Sequence, residues 1–296
     1  MAVVGSPGKP TVFVTGAGGL LGGHVAWTFA QRGANVIAAT HAHLDVTDLD
    51  KVRTSLVQAD PGVVINCVAM TDVDACEEDP ERAFAVNALG AENVAVAARE
   101  AGAAVVHLSS DYVFDGTKGS YVEDDPTNPI QVYGRSKLEG DERVRAATPW
   151  HFIVRSAWIY GTGGKNFISK HLPRLLASGE PINAVDDQCG SPTYAPDLAE
   201  AITELVETLD YGTYHVVNEG TCSFADAAEA ALEIAGASNE LNRVPVASLG
   251  RPAPRPHDTS LVAAHWREAG FAPLRHWREA LESFLRSGLR SDGEQP

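Results

Sequence analysis

The sequence predicts an α/β protein, a Rossmann-type doubly wound parallel sheet with a smaller C-terminal α/β lobe. Apolar, β-branched segments recur in the first half and alternate with helix-like stretches, which is typical of parallel strands covered on both faces. A glycine-rich turn directly follows the first of these segments. Beyond Gly161 the elements become shorter and richer in glycine and proline, which indicates a lobe built onto the sheet.

The elements follow in a regular order. The predicted strands are TVFVT (11–15), NVIAAT (35–40), VVINCVA from Val63, AAVVHLSS from Ala103 and HFIVRSAWIYG from His151. Residues 80–101 form a helix-rich stretch, and a charged helix follows Pro129. Later, Ser223 and Asp226 resemble a helix-start capping pair, and residues 287–296 are polar enough for a frayed tail.

Bulk properties exclude several classes of protein. The net charge of −16 over 296 residues argues against nucleic-acid binding, which needs a basic face. No apolar run is long enough to span a bilayer, and the first 16 residues lack the pattern of a signal peptide, so a cytoplasmic protein is expected. The scattered cysteines have no Cys-x-x-Cys spacing and are interpreted as free thiols: Cys67, Cys76, Cys189 and Cys222.

The turn after the first strand reads TGAGGLLG and places Gly16, Gly19 and Gly22 in a G-x-x-G-x-x-G pattern. Glycines permit a tight turn and close approach of a pyrophosphate, whose charge is met by the amides at the start of the next helix. A backbone donor set of this kind lets an acidic protein hold an anion. We therefore predict a dinucleotide-binding domain over residues 1–160, with the sheet completed by part of 186–219, and a mainly substrate-binding lobe over 161–296.

The end of the second strand bears on cofactor preference. NAD-binding sites usually carry an acid there for the ribose 2′-hydroxyl, but this chain has Thr40 and His41. The missing carboxylate favours NADPH, although no arginine is present to hold the 2′-phosphate and NADH remains an alternative. Asp45 and Val46 stand where an acid after the strand could meet the adenine, and Asp45 could also cap the next helix.

Tyr133 and Lys137 lie four residues apart and therefore share one helix face. A tyrosine hydroxyl has an ordinary pKa near 10, and a neighbouring ammonium is expected to lower it by stabilising the phenolate. Ser109 and Ser110 end a predicted strand, and ligands bind at that end of a parallel sheet. The pattern favours proton transfer to a carbonyl oxygen held by a serine.

With TGAGGLLG, the strand-end serines and Tyr-x3-Lys, the sequence resembles the extended short-chain dehydrogenases/reductases. Five further motifs resemble the dTDP-4-dehydrorhamnose reductase family: LSSDYVFDG, NPIQVYGRSKLEGD, RSAWIYG, DDQCGSPTY and RPAPRPHDTSL. The resemblance covers nearly the whole chain, from about Thr11 to the last helix. The resemblance implies hydride addition to C4 of a dTDP-4-keto-6-deoxysugar, with dTDP-4-dehydrorhamnose reduced to dTDP-L-rhamnose.

The resemblance also implies residue roles. Tyr133 would protonate the ketone oxygen, Lys137 would bind the nicotinamide ribose and polarise Tyr133, and Ser110 would hydrogen-bond the carbonyl. The sugar would be met by Asp111 and Trp158, and Arg255 is a candidate for its pyrophosphate. The cofactor positions carried over are Gly19, Leu20, Leu21, Asp45, Val46, Ala69, Met70 and Thr71.

Related nucleotide-sugar 4,6-dehydratases place Asp-Glu after the catalytic hydroxyl residue, whereas this chain has Asp111-Tyr112, which disfavours elimination. Some members of the reductase family bind a divalent ion at a dimer contact through carboxylates. His24 and Pro196 stand at those places, so no metal and a monomer or weak homodimer are predicted. Two alternatives stay open: a 4-ketoreductase for another nucleotide deoxysugar of an antibiotic-type pathway, and a non-catalytic NADP-binding subunit resembling the regulatory subunit of methionine adenosyltransferase.

Overall fold

The computed structural model describes residues 11–291; most of the stretch on which the signal-peptide prediction depends lies outside them. The strands are β1 Thr11–Thr15, β2 Asn35–Ala39, β3 Val63–Asn66, β4 Ala104–Ser110, β5 His151–Ser156, β6 Ile159–Tyr160, β7 Ile182–Val185, β8 Cys189–Gly190, β9 Thr193–Tyr194, β10 Gly212–His215, β11 Asn218–Glu219, β12 Cys222–Ser223, β13 Leu241–Val244 and β14 Leu274–His276. The α-helices are α1 Leu20–Gln31, α2 Leu49–Ala59, α3 Val73–Glu78, α4 Pro80–Phe84, α5 Gly90–Glu100, α6 Val132–Ala147, α7 Leu172–Ser178, α8 Ala195–Leu205, α9 Phe224–Ala235, α10 Ala264–Glu268 and α11 Trp277–Ser291.

The central sheet has six strands in the order β2-β1-β3-β4-β5-β10. Every neighbouring pair in it is parallel, which confirms the predicted Rossmann-type architecture. The direction in which strands are added reverses between β1 and β3, and ligands of such sheets bind outside the carboxyl ends of the strands at this point. The edge strand β10 comes from the second half of the chain.

Both faces of the sheet are covered by helices. One apolar core joins alternate strand residues to α1 and α8, with Val25 and Ile202 fully buried. The other joins the remaining strand residues to α2, α5 and α6, with Leu56 and Val94 fully buried. This two-sided burial explains why the strands are apolar throughout.

Two predicted elements are interrupted. The strand expected from His151 breaks into β5 and β6, because Trp158 has a left-handed backbone with φ 44°. The helical stretch over 80–101 contains a π-helical segment, Ala85–Leu89, between α4 and α5. The first interruption places Trp158, and the second places Asn87, toward the carboxyl ends of the strands.

The C-terminal elements surround an apolar core of their own, formed mainly by α7, α9 and α11 against β7. Ser223 and Asp226 form the predicted capping box at the start of α9. The frayed tail predicted over 287–296 is wrong as far as Ser291, because α11 continues to that residue, and the rest of it lies outside the described residues. Among residues 11–291, no helix combines the length and apolarity needed to cross a membrane.

Candidate active site

A cleft of about 550 Å³ lies at the carboxyl ends of β1, β3 and β4. Four separate stretches of the first half of the chain line it, together with residues 156–166. The predicted site residues that the fold brings together there are Gly19, Leu20, Leu21, Gly22, Ala69, Thr71, Ser110, Asp111, Tyr133, Lys137 and Trp158. Those that do not line it are Gly16, Thr40, Asp45, Val46, Met70 and Arg255.

The glycine turn is closed so tightly that two of its positions exclude a side chain. A Cβ at Gly16, where φ is 70°, would lie 2.8 Å from the Cys67 carbonyl carbon, and one at Gly22 would lie 2.3 Å from the Gly16 oxygen. By contrast, a Cβ at Gly19 would meet only the Gly16 oxygen, at 3.3 Å. Helix α1 begins at Leu20 without a side-chain cap, and its first amides have no partner within the helix. This cradle fits a dinucleotide pyrophosphate.

The residues after β2 form a wall beside the turn. Thr40 Oγ1 is 2.9 Å from His43 Nδ1, and Asp45 accepts from the amide and hydroxyl of Thr47, which lowers the pKa of Asp45. The interpretation of Asp45 as the cap of the next helix is wrong, because Asp48 caps α2. Val46 is buried in the core. The cofactor roles of Thr40, Asp45 and Val46 remain predictions.

Asn87, on the π-helical segment, is a site residue that the sequence reasoning missed. Its side chain accepts from the Met70 amide at 2.7 Å and donates to the Met70 carbonyl at 3.1 Å. It also donates to Ser136 Oγ on α6 at 2.9 Å. Asn87 therefore fixes the loop after β3 against the helix that carries Tyr133. Met70 bonds to Asn87 through its backbone and does not line the cleft, and its cofactor role remains a prediction.

Tyr133 and Lys137 lie on successive turns of α6, which approaches the end of β4 closely. A Cβ at Gly134 would lie 2.0 Å from the Tyr112 carbonyl oxygen, so the approach requires glycine. Lys137 is 1% exposed, and its ammonium donates to the Leu108 carbonyl at 2.6 Å. Burial lowers the pKa of Lys137 to about 8.

The direction predicted for the pKa of Tyr133 is wrong for this structure. Burial raises it, and a hydrogen bond with Ser110 offsets only part of that effect. The ammonium of Lys137 donates to the Leu108 carbonyl, and its charge does not reverse the effect of burial on the phenol. A phenol with a raised pKa is protonated at neutral pH, as a proton donor must be.

Ser110 and Asp111 are tied to each other and to the lobe. Ser110 Oγ donates to Asp111 Oδ1 at 3.0 Å, and the Thr259 hydroxyl donates to Asp111 Oδ2. Burial raises the pKa of Asp111 to about 6. The neighbouring Tyr112 hydroxyl accepts from Gln188 Nε2 at 2.9 Å. Where a dehydratase has a glutamate base, this protein has a buried phenol bound to an amide.

Trp158 forms the wall of the cleft on the lobe side. Its ring stacks on Phe224 with 3.8 Å between centroids, and a Cβ at Gly190 would lie 2.6 Å from the indole. Indole Nε1 is buried and has no hydrogen-bond partner within residues 11–291. The left-handed backbone of Trp158 is thus held in place by contacts from two lobe segments.

Two further cations, Arg255 and Lys165, differ in their position relative to the cleft. Arg255 is mostly buried, and its guanidinium lies 2.9 Å from Asp74, outside the cleft lining, so its role toward a sugar pyrophosphate remains a prediction. Lys165 lines the cleft on an exposed glycine-rich loop, 161–166. The sequence reasoning missed Lys165, although the loop follows the predicted strand HFIVRSAWIYG directly.

Comparisons with known proteins agree over nearly the whole chain. A family model described as the RmlD substrate binding domain matches residues 10–289. The chain is 42% identical over 293 residues to dTDP-4-dehydrorhamnose reductase of Mycolicibacterium smegmatis, covering 96% of this chain and 88% of that protein. It is 38% identical over 271 residues to dTDP-4-keto-6-deoxy-D-glucose reductase of Streptomyces niveus, covering 90% of this chain and 94% of that one. The crystal structure of dTDP-4-dehydrorhamnose reductase from Bacillus anthracis in complex with NADP is similar with a TM-score of 0.92 and 36% identity, covering 95% of this chain and 100% of that chain.

Proposed function

This chain belongs to the RmlD family of dTDP-4-dehydrorhamnose reductases, and from that premise we propose that it reduces dTDP-4-dehydrorhamnose to dTDP-L-rhamnose with NADPH. The observation that carries the proposal is the convergence of the glycine cradle, Ser110, Tyr133 and Lys137 on one cleft.

The chemistry divides between cofactor and chain. NADPH, when bound, supplies a hydride to C4 of the keto sugar. Ser110 turns its hydroxyl from Asp111 Oδ1 to donate a hydrogen bond to the C4 oxygen and orients it. Tyr133 transfers its phenolic proton to that oxygen, which completes the alcohol. The resulting phenolate regains a proton from solvent. Lys137 holds the nicotinamide ribose, and its ammonium stabilises the phenolate while it lasts.

The cleft also supports ketone reduction over elimination. Elimination needs a base next to Asp111, and the side chain there is Tyr112, whose hydroxyl already accepts from Gln188. Burial raises the pKa of the Tyr112 hydroxyl to about 12, so it is a poor base at neutral pH. Asp111 and Trp158 line the same cleft as Ser110 and Tyr133 and are proposed to contact the sugar.

A second candidate is reduction of another dTDP-4-keto-6-deoxysugar, favoured by the similarity to the Streptomyces niveus reductase. The two candidates share every proposed catalytic residue and differ in the sugar alone. We further propose that the protein works in the cytoplasm as a monomer or weak homodimer. Size-exclusion chromatography with light scattering tests the oligomeric state.

The deciding experiment is NADPH consumption with a panel of dTDP-4-keto-6-deoxysugars, with NADH in parallel. We expect NADPH to be oxidised with dTDP-4-dehydrorhamnose and the product to be identified as dTDP-L-rhamnose by NMR. Turnover with dTDP-4-keto-6-deoxy-D-glucose alone would favour the second candidate. Absence of turnover with every sugar, under conditions where NADPH binds, would refute both.

A further inference from the structure

A row of buried polar side chains lies behind Lys137. His107 on β4 and Asp141 on α6 are fully buried, and Arg155 on β5 is nearly so. His107 Nε2 lies 3.5 Å from Lys137 Nζ and 3.7 Å from Asp141 Oδ1. Arg155 Nε lies 3.4 Å from the other oxygen, Asp141 Oδ2. His107 Nε2 therefore faces both the ammonium of Lys137 and the carboxylate of Asp141.

The hydrogen bonds around Asn66 define the proton on His107. Asn66 Oδ1 accepts from the Thr15 hydroxyl at 2.8 Å and from the Val68 amide at 3.3 Å. The amide nitrogen of Asn66 must then face His107 Nδ1, 3.3 Å away, and donate to it. His107 therefore carries its proton on Nε2, and burial lowers its pKa well below the ordinary value, so the ring is neutral.

The charges in this row are unequal. Two cations, Lys137 and Arg155, share one carboxylate, and Arg155 engages only its Oδ2. Asp141 Oδ1 is buried without a hydrogen-bond partner in the described part of the chain. A buried carboxylate oxygen in that position is costly unless it stabilises nearby positive charge. The titratable groups that face this cluster are Cys67, His107, Lys137, Arg145, His151 and Arg155, with Glu123 and His215 beside Arg155.

We propose that Asp141 is a positioning residue for the proposed reduction, whose buried carboxylate stabilises the charged form of Lys137 from behind, beside His107 Nε2. This role depends on the proposed function for its catalytic meaning, but its effect on Lys137 is independent of the sugar. Asp141 touches neither the cleft nor any reacting atom.

The proposal has a definite electrostatic consequence. Burial lowers the pKa of Lys137 to about 8, and Asp141 opposes that effect. Loss of the carboxylate charge should lower the pKa of Lys137 further. At pH 8, where about half of Lys137 is charged in wild type, the charged fraction would then fall. A neutral amine holds an anionic dinucleotide less strongly and does not stabilise a phenolate.

Three variants test the role. Asp141→Asn keeps the shape and removes the charge. Arg155→Met removes the competing cation and should have the opposite effect, because Asp141 then faces Lys137 alone. Glu123→Gln is the matched control: Glu123 is also buried, and its carboxylate accepts from the amides of His215 and Ala264 without facing Lys137. Circular dichroism and thermal unfolding establish that each variant is folded.

The main readout is NADPH affinity as a function of pH, followed by fluorescence without any sugar. Wild type should bind less tightly as pH rises through about 8. The midpoint should move to lower pH in Asp141→Asn, to higher pH in Arg155→Met, and not at all in Glu123→Gln. If Asp141→Asn does not fold, the movement of the binding midpoint to higher pH in Arg155→Met still tests the proposal.

Several outcomes would overturn the proposal: an unmoved midpoint in folded Asp141→Asn, an unmoved midpoint in Arg155→Met, or an equal movement in Glu123→Gln. The pH dependence of kcat with the preferred sugar provides the catalytic readout and should move in the same direction as the binding midpoint. If no sugar is reduced by wild type, the proposed function fails, whereas the binding measurement still stands or falls on Asp141 alone.

Discussion

Replacing Gly22 by alanine tests the cofactor cradle directly. The added Cβ would lie 2.3 Å from the Gly16 carbonyl oxygen and 2.7 Å from the Gly16 carbonyl carbon, both backbone atoms that cannot rotate away. An ordinary contact needs at least 3.4 Å, so the start of α1 must move from the turn by about 1 Å. Overpacking of this kind costs about 1–3 kcal/mol. If this cost destabilises the NADPH-bound conformation of the turn, NADPH affinity drops about ten- to a hundredfold.

Gly23→Ala is the matched control, one residue further along the same helix. Its Cβ would meet only the Ala17 oxygen, at 3.5 Å, which is an ordinary contact. Alanine also favours a helix over glycine by about 1 kcal/mol, so this variant should be at least as stable as wild type. NADPH affinity is measured by fluorescence titration, and stability by thermal unfolding. Wild-type affinity in a folded Gly22→Ala variant would refute the role of this cradle.

The remaining predictions concern the side chains of the cleft. Tyr133→Phe should lower kcat by about 10²–10⁴ and leave NADPH affinity near wild type, because only the transferable proton is lost; near-normal turnover would contradict the mechanism. Lys137→Ala should weaken both NADPH binding and turnover, and unchanged affinity would remove its ribose role. For Asp111, whose folded pKa is raised from 3.8 to about 6, the associated stability is present below 3.8 and lost as pH rises through about 6. Wild type should therefore lose about 2 kcal/mol relative to Asp111→Asn between pH 4 and pH 7, and parallel unfolding profiles of the two would count against this.

The features that could be predicted from the sequence are those set by near neighbours. The TGAGGLLG turn needs only a strand before it and a helix after it, and the α9 capping box joins Ser223 to a residue three positions away. Tyr133 and Lys137 share a helix face through the helical period alone. In each case the physical constraint lies within one or two turns of chain, so the local pattern is sufficient.

The features that could not be predicted depend on distant partners. The backbone of Trp158 is held left-handed by contacts with Gly190 and Phe224, and no local signal announces either. Asn87 meets Ser136 across 49 positions, and Thr259 meets Asp111 across 148. The direction predicted for the pKa shift of Tyr133 is wrong for the same reason. The motif supplies the ammonium, but only the folded chain determines how deeply the phenol is buried.

The acidity of the chain explains why its cleft depends so much on backbone groups. A protein with a net charge of −16 must bind an anionic cofactor and an anionic sugar nucleotide, yet few of its cations can reach them. Lys137 donates to the Leu108 carbonyl, and Arg255 is paired with Asp74. The first amides of α1 provide donors whose partial charge needs no counter-ion and does not titrate. Gly16 and Gly22 bring those amides against the end of β1, and neither position has room for a Cβ. Substitution at these glycines should therefore be tolerated as poorly as substitution of any charged side chain in the site.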